Sequence, residues 1–238
     1  MDDDELLAEQ VAFYRARAPR YDEWWQRRGA YARGPAVDLE FDRQVHHVED
    51  ALRSFAIGGD VLELAGGTGW WTERLARSAD HLTVVDSSPE ALELNRARVG
   101  DPGVEYHVAD IFDWSPEKRY DVVFFSFWLS HVPRRRFVGF WSMVRSCLRP
   151  AGRVILVDNH QDPDPGEDVR DPYVRRYETD RHVRHLDDGR EYHVVKVMYE
   201  PDELASRLAD LGWIAELRAT PWFLYGSARP GPSGLPVG

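Results

Sequence analysis

Apolar and polar positions along this chain follow two periods, and the switch between them sets out the elements. Short β-rich runs at 61–64, 81–86, 104–108, 120–126 and 154–158 are separated by stretches with helical spacing or by turn residues. The run at 120–126 is apolar nearly throughout, as a parallel strand covered on both faces should be. Strands alternating with helical segments predict right-handed crossovers and a mostly parallel sheet. Ser88 reads as an N-cap, with Pro89 at the first helical position and Leu92 and Leu94 following. Pro150 and Gly152 stop a helix and turn the chain into the fifth strand.

Additions flank this alternation. Upstream, Leu6, Leu7, Val11 and Tyr14 recur at helical spacing, and a second helix is expected over 39–55. Downstream, residues 159–180 carry little periodicity and read as a long loop. The segments 182–186 and 190–199 flank Asp187-Asp188-Gly189, a hairpin turn. Pro201 opens a helix carrying Leu204, Leu208 and Leu211, which Gly212 ends. Residues 213–217 and 222–225 are expected as an antiparallel pair at the sheet edge. The division that follows is an N-terminal helical cap over 1–57, a core over 58–228 and a disordered Pro/Gly-rich tail over 229–238.

Composition narrows the picture. A chain of 238 residues accommodates one α/β domain with modest additions. The formal net charge of −11 argues against nucleic-acid partners, which call for a basic excess to replace counterions. Arg134-Arg135-Arg136 is the one obvious basic cluster and reads as the solvated start of a helix. The single cysteine, Cys147, fits a reducing compartment. The acidic start Met1-Asp2-Asp3-Asp4-Glu5 lacks a signal-peptide plan, and no apolar run approaches a membrane span. A cytoplasmic monomer or homodimer without membrane partners is expected.

The chemistry begins at Val61-Leu62-Glu63-Leu64-Ala65-Gly66-Gly67-Thr68-Gly69-Trp70-Trp71-Thr72. Glycines after a strand let a ligand approach backbone that a Cβ would block. A dinucleotide fingerprint spaces them G-x-G-x-x-G; here they fall at Gly66, Gly67 and Gly69, with Glu63 upstream. About 20 residues on, the second strand ends in Asp86, an acid placed to accept ribose hydroxyls. The third strand ends in Ala109-Asp110-Ile111.

In this order the motifs resemble those of class I S-adenosylmethionine-dependent methyltransferases, over residues 61–158. Ala65 stands where many members have glycine. The resemblance implies a Rossmann-like, seven-stranded, mostly parallel α/β sheet with helices on both faces, with an inserted hairpin after the fifth strand. It implies S-adenosylmethionine as cofactor, held by Glu63, Ala65, Gly66, Gly67, Gly69, Asp86, Ser87, Asp110, Ile111 and Ser126. The segment from Tyr14 to Trp25 is similar to the aromatic entrance of small-molecule methyltransferases related to ubiquinone and menaquinone biosynthesis. By that likeness Tyr14 and Tyr21 would close over the cofactor.

Methyl transfer to an OH or NH acceptor asks for alignment, dryness and a base. His131, just after the fourth strand, is the leading candidate for base or substrate ligand. Asp158 and His160 are weaker ones. Asp158, Asp162 and Asp164 could suggest a metal, but Asp/Pro alternation is ordinary turn chemistry, so none is expected. Nine tryptophans suggest an aromatic or extended apolar acceptor, lined by Trp24, Trp25 and Trp128. Of Trp70 and Trp71, one is expected to face the core and one the cofactor. The rival readings are an NAD-dependent oxidoreductase and a non-catalytic cofactor-binding module of the same fold.

Overall fold

The computed structural model describes residues 3–160 and 180–232. Seven strands form one sheet in the order β3-β2-β1-β4-β5-β9-β8. They are β1 Asp60–Leu64, β2 His81–Asp86, β3 Val104–Val108, β4 Tyr120–Ser126, β5 Leu148–Asn159, β8 Trp213–Ala219 and β9 Phe223–Pro230. The first five pair in parallel; β9 runs antiparallel to both β5 and β8. The expected antiparallel edge pair therefore forms, with the last strand inserted between β5 and β8. That strand ends at Pro230, two residues past the expected core boundary, so the start of the expected tail is sheet; residues 233–238 lie outside the described ones.

Successive strand residues face opposite sides, and the core divides accordingly. Leu62, Leu64, Val123, Phe125, Val154 and Leu156 meet α5 (Phe137–Cys147) and α6 (Pro201–Asp210) on one face. Val61, Val84, Val122, Phe124, Ile155 and Val157 meet α2 (Pro35–Ser54), α3 (Thr72–Leu75) and α4 (Pro89–Val99) on the other. Both faces of the central strands are buried, which is why their sequence is apolar at consecutive positions. Ser88 caps α4 by accepting from the Ala91 N–H at 3.1 Å, and Gly100 ends it at φ +62°.

The N-terminal segment lies over the top of this sheet. Helix α1 (Asp3–Arg17) packs Leu6, Leu7, Gln10 and Phe13 inward, against the two-stranded hairpin of β6 (Arg181–His185) and β7 (Glu191–Val195). A 3-10 strap over Ala18–Glu23 follows. The basic cluster pairs with the acidic first turn of α1: Arg135 with Asp3 and Arg136 with Asp4, while Arg134 meets Asp180 at 2.9 Å. Exposed pairs of this kind contribute about 0–1 kcal/mol each. They orient the helix more than they stabilise it. The expected loop at 159–180, with Asp162 and Asp164, lies outside the described residues except for its two ends.

Candidate functional site

The chain runs outward from β1 through β2 to β3, then returns to the other side of β1 as β4. At that reversal, beyond the carboxyl ends of the strands, an open parallel sheet leaves a crevice. A cleft occupies it, lined by Ala65, Gly67, Asp86, Ser87, Ile111, Ser126, Trp128 and His131 below. Gln10, Tyr14, Ala18 and Tyr21 from α1 and the strap form the other wall. A smaller recess bordered by Asp110, Ile111, Phe112 and Trp128 adjoins it.

The loop between β1 and α3 is held from beneath by buried polar groups. Asn95, fully buried on α4, donates to the Gly66 and Gly67 carbonyls at 3.2 Å and to the Thr72 hydroxyl at 2.8 Å. The Thr72 hydroxyl in turn donates to Glu63 at 2.6 Å. Glu63 thus sits under the loop and does not border the cleft. Burial raises its carboxyl to about 8, against the Thr72 bond, which lowers it, with a smaller upward push from Asp86. A Cβ on Gly66 would come within 2.3 Å of Val84, so the loop can lie this close to β2 only with glycine there. Ala65 is the departure that carries a cost: it holds φ +55°, where an L side chain is strained by roughly 1–2 kcal/mol.

The loop's amides are largely used internally. Gly66 N–H donates to Val85, Gly69 N–H to Gly66, and Gly67 N–H to the Asp86 carboxylate at 2.9 Å. Asp86 also accepts from the Ser88 N–H at 2.8 Å. A pyrophosphate needs free amides and a helix N-terminus; here the amides face an acid and α3 has one turn. A neutral ribose diol, donating to Asp86, suits this loop better. In the recess, Asp110 accepts from the Phe112 N–H at 2.9 Å, and the side chains of Ile111, Phe112 and Trp128 border it. Apolar and aromatic side chains with one carboxylate beside them fit a flat, hydrogen-bonding base. The residues present therefore fit an adenosyl group with a short tail.

The opposite wall is aromatic and locked. Tyr14 lies 5.1 Å from His131 and 6.3 Å from Tyr21, ring to ring. His131 Nδ1 is 2.6 Å from the Val195 carbonyl, which only accepts, so Nδ1 carries the proton. Nε2 then accepts the Tyr14 O–H at 2.8 Å. Burial, reinforced by Lys196, holds His131 well below the usual histidine range despite the Val195 bond. Both ring nitrogens of the sequence's candidate base are thus engaged, and the ring is neutral. Burial likewise lifts the Tyr14 phenol to about 12, so it stays protonated. Asp158 accepts from the Ser130 and Asn159 N–H groups, and His160 bonds the Thr220 carbonyl and Glu200.

The tryptophans are distributed otherwise than expected. Trp24 and Trp25 do not border the cleft; they pack with Phe41, Phe127 and Phe223. Trp70 stacks flat on Trp25 at 4.8 Å, and Trp71 is buried in the same cluster, so neither faces the cleft. Trp128 alone of the three proposed acceptor-lining rings borders it. Gly66 and Gly69 shape the loop without lining the cleft. The sequence reading passed over Gln10, which donates to the His131 carbonyl at 3.2 Å and accepts from Val195 N–H at 2.9 Å. Its signal was a glutamine on the apolar face of α1. It also passed over Asp22, which accepts from Thr68 at 2.6 Å and pairs with Arg98, tying the strap to the glycine loop.

Comparison with known proteins agrees with this geometry. A family model described as a methyltransferase domain matches residues 61–152. DhpI, solved with SAH, is 38% identical, with 96% of this chain and 98% of that one covered at a TM-score of 0.79. Its complex with SAM and HEP gives 38% identity, 97% and 100% coverage, and a TM-score of 0.80. The demethylmenaquinone methyltransferase of Clavibacter sepedonicus is 36% identical over 112 residues, 45% of this chain and 44% of that protein. The chain thus spans less than half the length of that curated relative. The N-methyltransferase NodS of Bradyrhizobium japonicum WM9, with SAH, shares the fold at 17% identity and a TM-score of 0.59, over 94% of this chain and 99% of that one.

Two outcomes follow. Because the Glu63 carboxyl is raised on folding, its contribution to stability is full below about pH 4.5, its unfolded value, and is lost as pH rises toward about 8. Glu63→Gln lacks that loss, so its melting temperature relative to wild type should rise steadily across this window, read by thermal unfolding without ligand. An offset independent of pH would contradict it. Tyr14→Phe leaves a buried Nε2 without a donor and should cost about 1–3 kcal/mol in denaturant unfolding; an unchanged midpoint would mean the Tyr14–His131 bond is not made.

Proposed function

This chain belongs to the class I S-adenosylmethionine-dependent methyltransferases, and on that premise we propose that it transfers a methyl group from S-adenosylmethionine to a small-molecule acceptor. The observation that carries the reading is Asp86 at the tip of β2, bonded to Gly67 N–H and facing a cleft roofed by Tyr14 and Tyr21. When bound, S-adenosylmethionine supplies a sulfonium methyl that is electrophilic without further activation.

The chain's own residues supply position and dryness. Asp86 offers remaining lone pairs to ribose hydroxyls, while Asp110, Ile111 and Trp128 receive the adenine. Tyr14, Tyr21 and Gln10 close the methionine end from above, and the two tyrosine rings exclude water that would compete as acceptor. Ser126 and the backbone at Phe127, held at φ +51° and bonded to Val157 at 2.8 Å, form the floor at the end of β4. A small acceptor is supported because α1 and the strap cover the cleft opposite the strand ends. Among the described residues no helix is long and apolar enough to cross a membrane. We read the protein as a cytoplasmic monomer or homodimer.

The oxidoreductase alternative is disfavoured by the internally bonded loop amides. Incubation with methyl-labelled S-adenosylmethionine and a panel of small phenols, amines and acids tests the proposal. Label should pass to at least one acceptor, and Asp86→Ala should lower the apparent cofactor affinity by roughly 10–100-fold, the worth of one or two hydrogen bonds to a charged group. Tight cofactor binding with no transfer to any acceptor would instead favour a non-catalytic module.

A further inference from the structure

Two acids on different elements grip the glycine loop from opposite sides. From below, at the tip of β2, Asp86 accepts from the Gly67 N–H at 2.9 Å. From above, on the strap, Asp22 accepts from the hydroxyl of the next loop residue, Thr68, at 2.6 Å. The underside of the loop has no slack. A Cβ on Gly66 would meet Val84 at 2.3 Å, and one on Gly69 would meet Asn95 at 2.8 Å. Packing therefore fixes the floor of the cleft before any ligand arrives. The roof belongs to a separate element, and contacts across the cleft have to set its height.

Asp22 makes the central one. Its carboxylate also pairs with Arg98 near the end of α4, the helix that begins beside Asp86. The two side chains are 22% and 24% exposed, so water screens them less than the open pairs elsewhere on this protein. An O–H···O⁻ bond of this length is charge-assisted and about twice as strong as a neutral one. Just past the strap, Trp25 stacks flat on Trp70, the residue after Gly69, at 4.8 Å. The N-terminal segment thus meets the loop at Thr68 and again at Trp70. Tyr21, which directly precedes Asp22, borders the cleft, whereas Asp22 does not.

This tie lies at one end of the cleft. Thr68, Tyr21 and Ala18 border the main cleft, and none of them borders the recess beside Asp110, Ile111 and Trp128. With adenine in that recess and the ribose on Asp86, the amino-acid tail is the part of the cofactor that reaches Thr68 and Tyr21. We propose that Asp22 is a positioning residue for that tail: through Thr68 and the adjoining Tyr21 it sets the strap over the glycine loop, and so forms the tail pocket before the cofactor enters. The proposal builds on the methyltransferase reading above. The adenosyl part needs the floor and the recess, which Asp22 does not hold. Without Asp22 the ligand itself has to order strap against loop, and that ordering lowers the affinity for any ligand carrying the tail.

Calorimetric titration of the full chain compares S-adenosylhomocysteine with 5′-methylthioadenosine, which keeps the adenosine and the thioether but lacks the amino-acid end. Asp22→Ala should weaken S-adenosylhomocysteine roughly tenfold or more, and 5′-methylthioadenosine by less than about threefold. Thr68→Val, which removes the hydroxyl at nearly constant volume, should cause a similar selective loss. The double variant should lose no more than about twofold beyond the larger single loss, because both changes remove one bond. If Asp22→Ala does not fold, Thr68→Val carries the comparison of the two ligands; if 5′-methylthioadenosine binds too weakly to read, the double-variant cycle decides. Failure of S-adenosylhomocysteine to bind the unaltered chain would remove the underlying reading. Its binding unchanged by Asp22→Ala, an equal loss for both ligands, or losses that multiply in the double variant would overturn this assignment alone.

Discussion

The site depends on a side-chain amide buried beneath a glycine turn. Asn95 donates to two loop carbonyls and to Thr72, accepts from Tyr106 at 3.0 Å, and is wholly removed from solvent. Without those bonds the Gly66 carbonyl would keep only the Gly69 N–H, and the Gly67 carbonyl would lose its side-chain donor. With them, the loop is pinned onto α4, and α4 is itself fixed by the Ser88 cap beside Asp86. The turn, the ribose-facing acid and the helix behind them therefore form one rigid piece. That rigidity keeps Gly67 N–H on Asp86 and tilts the site toward a neutral nucleoside.

The other wall is built from parts remote in sequence. Gln10 bridges the His131 carbonyl and the Val195 amide, and Tyr14 bonds His131. Asp22 ties the strap to Thr68 and Arg98, and Arg15 reaches Glu90 at 2.9 Å. These contacts run from the N-terminal segment to both halves of the cleft. The buried ones outweigh the exposed ion pairs, which water screens. Closing the roof thus organises the histidine and tyrosines together.

Much of the fold was legible because parallel strands buried on both faces write themselves as apolar runs, and because caps and turns at Ser88, Pro89, Gly212 and Asp187-Asp188-Gly189 are local. The acid at Asp86 and the turn at Gly66–Gly67 were legible for the same reason. Side-chain direction was not. Glu63 faces down to Thr72, and Trp24, Trp25 and Trp70 face one another; a motif fixes the position of a residue and leaves its rotamer to tertiary packing. His131 looked like a base because its partners, Tyr14 and Val195, lie 117 and 64 residues away. The burial of Lys196 and Arg184 was not legible either, since alternation along β6 and β7 does not say that α1 and the β4 end cover one face.

The central claim is that this cleft holds an adenosyl cofactor without a pyrophosphate. Calorimetric titration of the purified protein with S-adenosylhomocysteine, and separately with NAD, tests it most directly. Micromolar binding of the first and none of the second is the result this account predicts. Binding of NAD with no response to S-adenosylhomocysteine would contradict it.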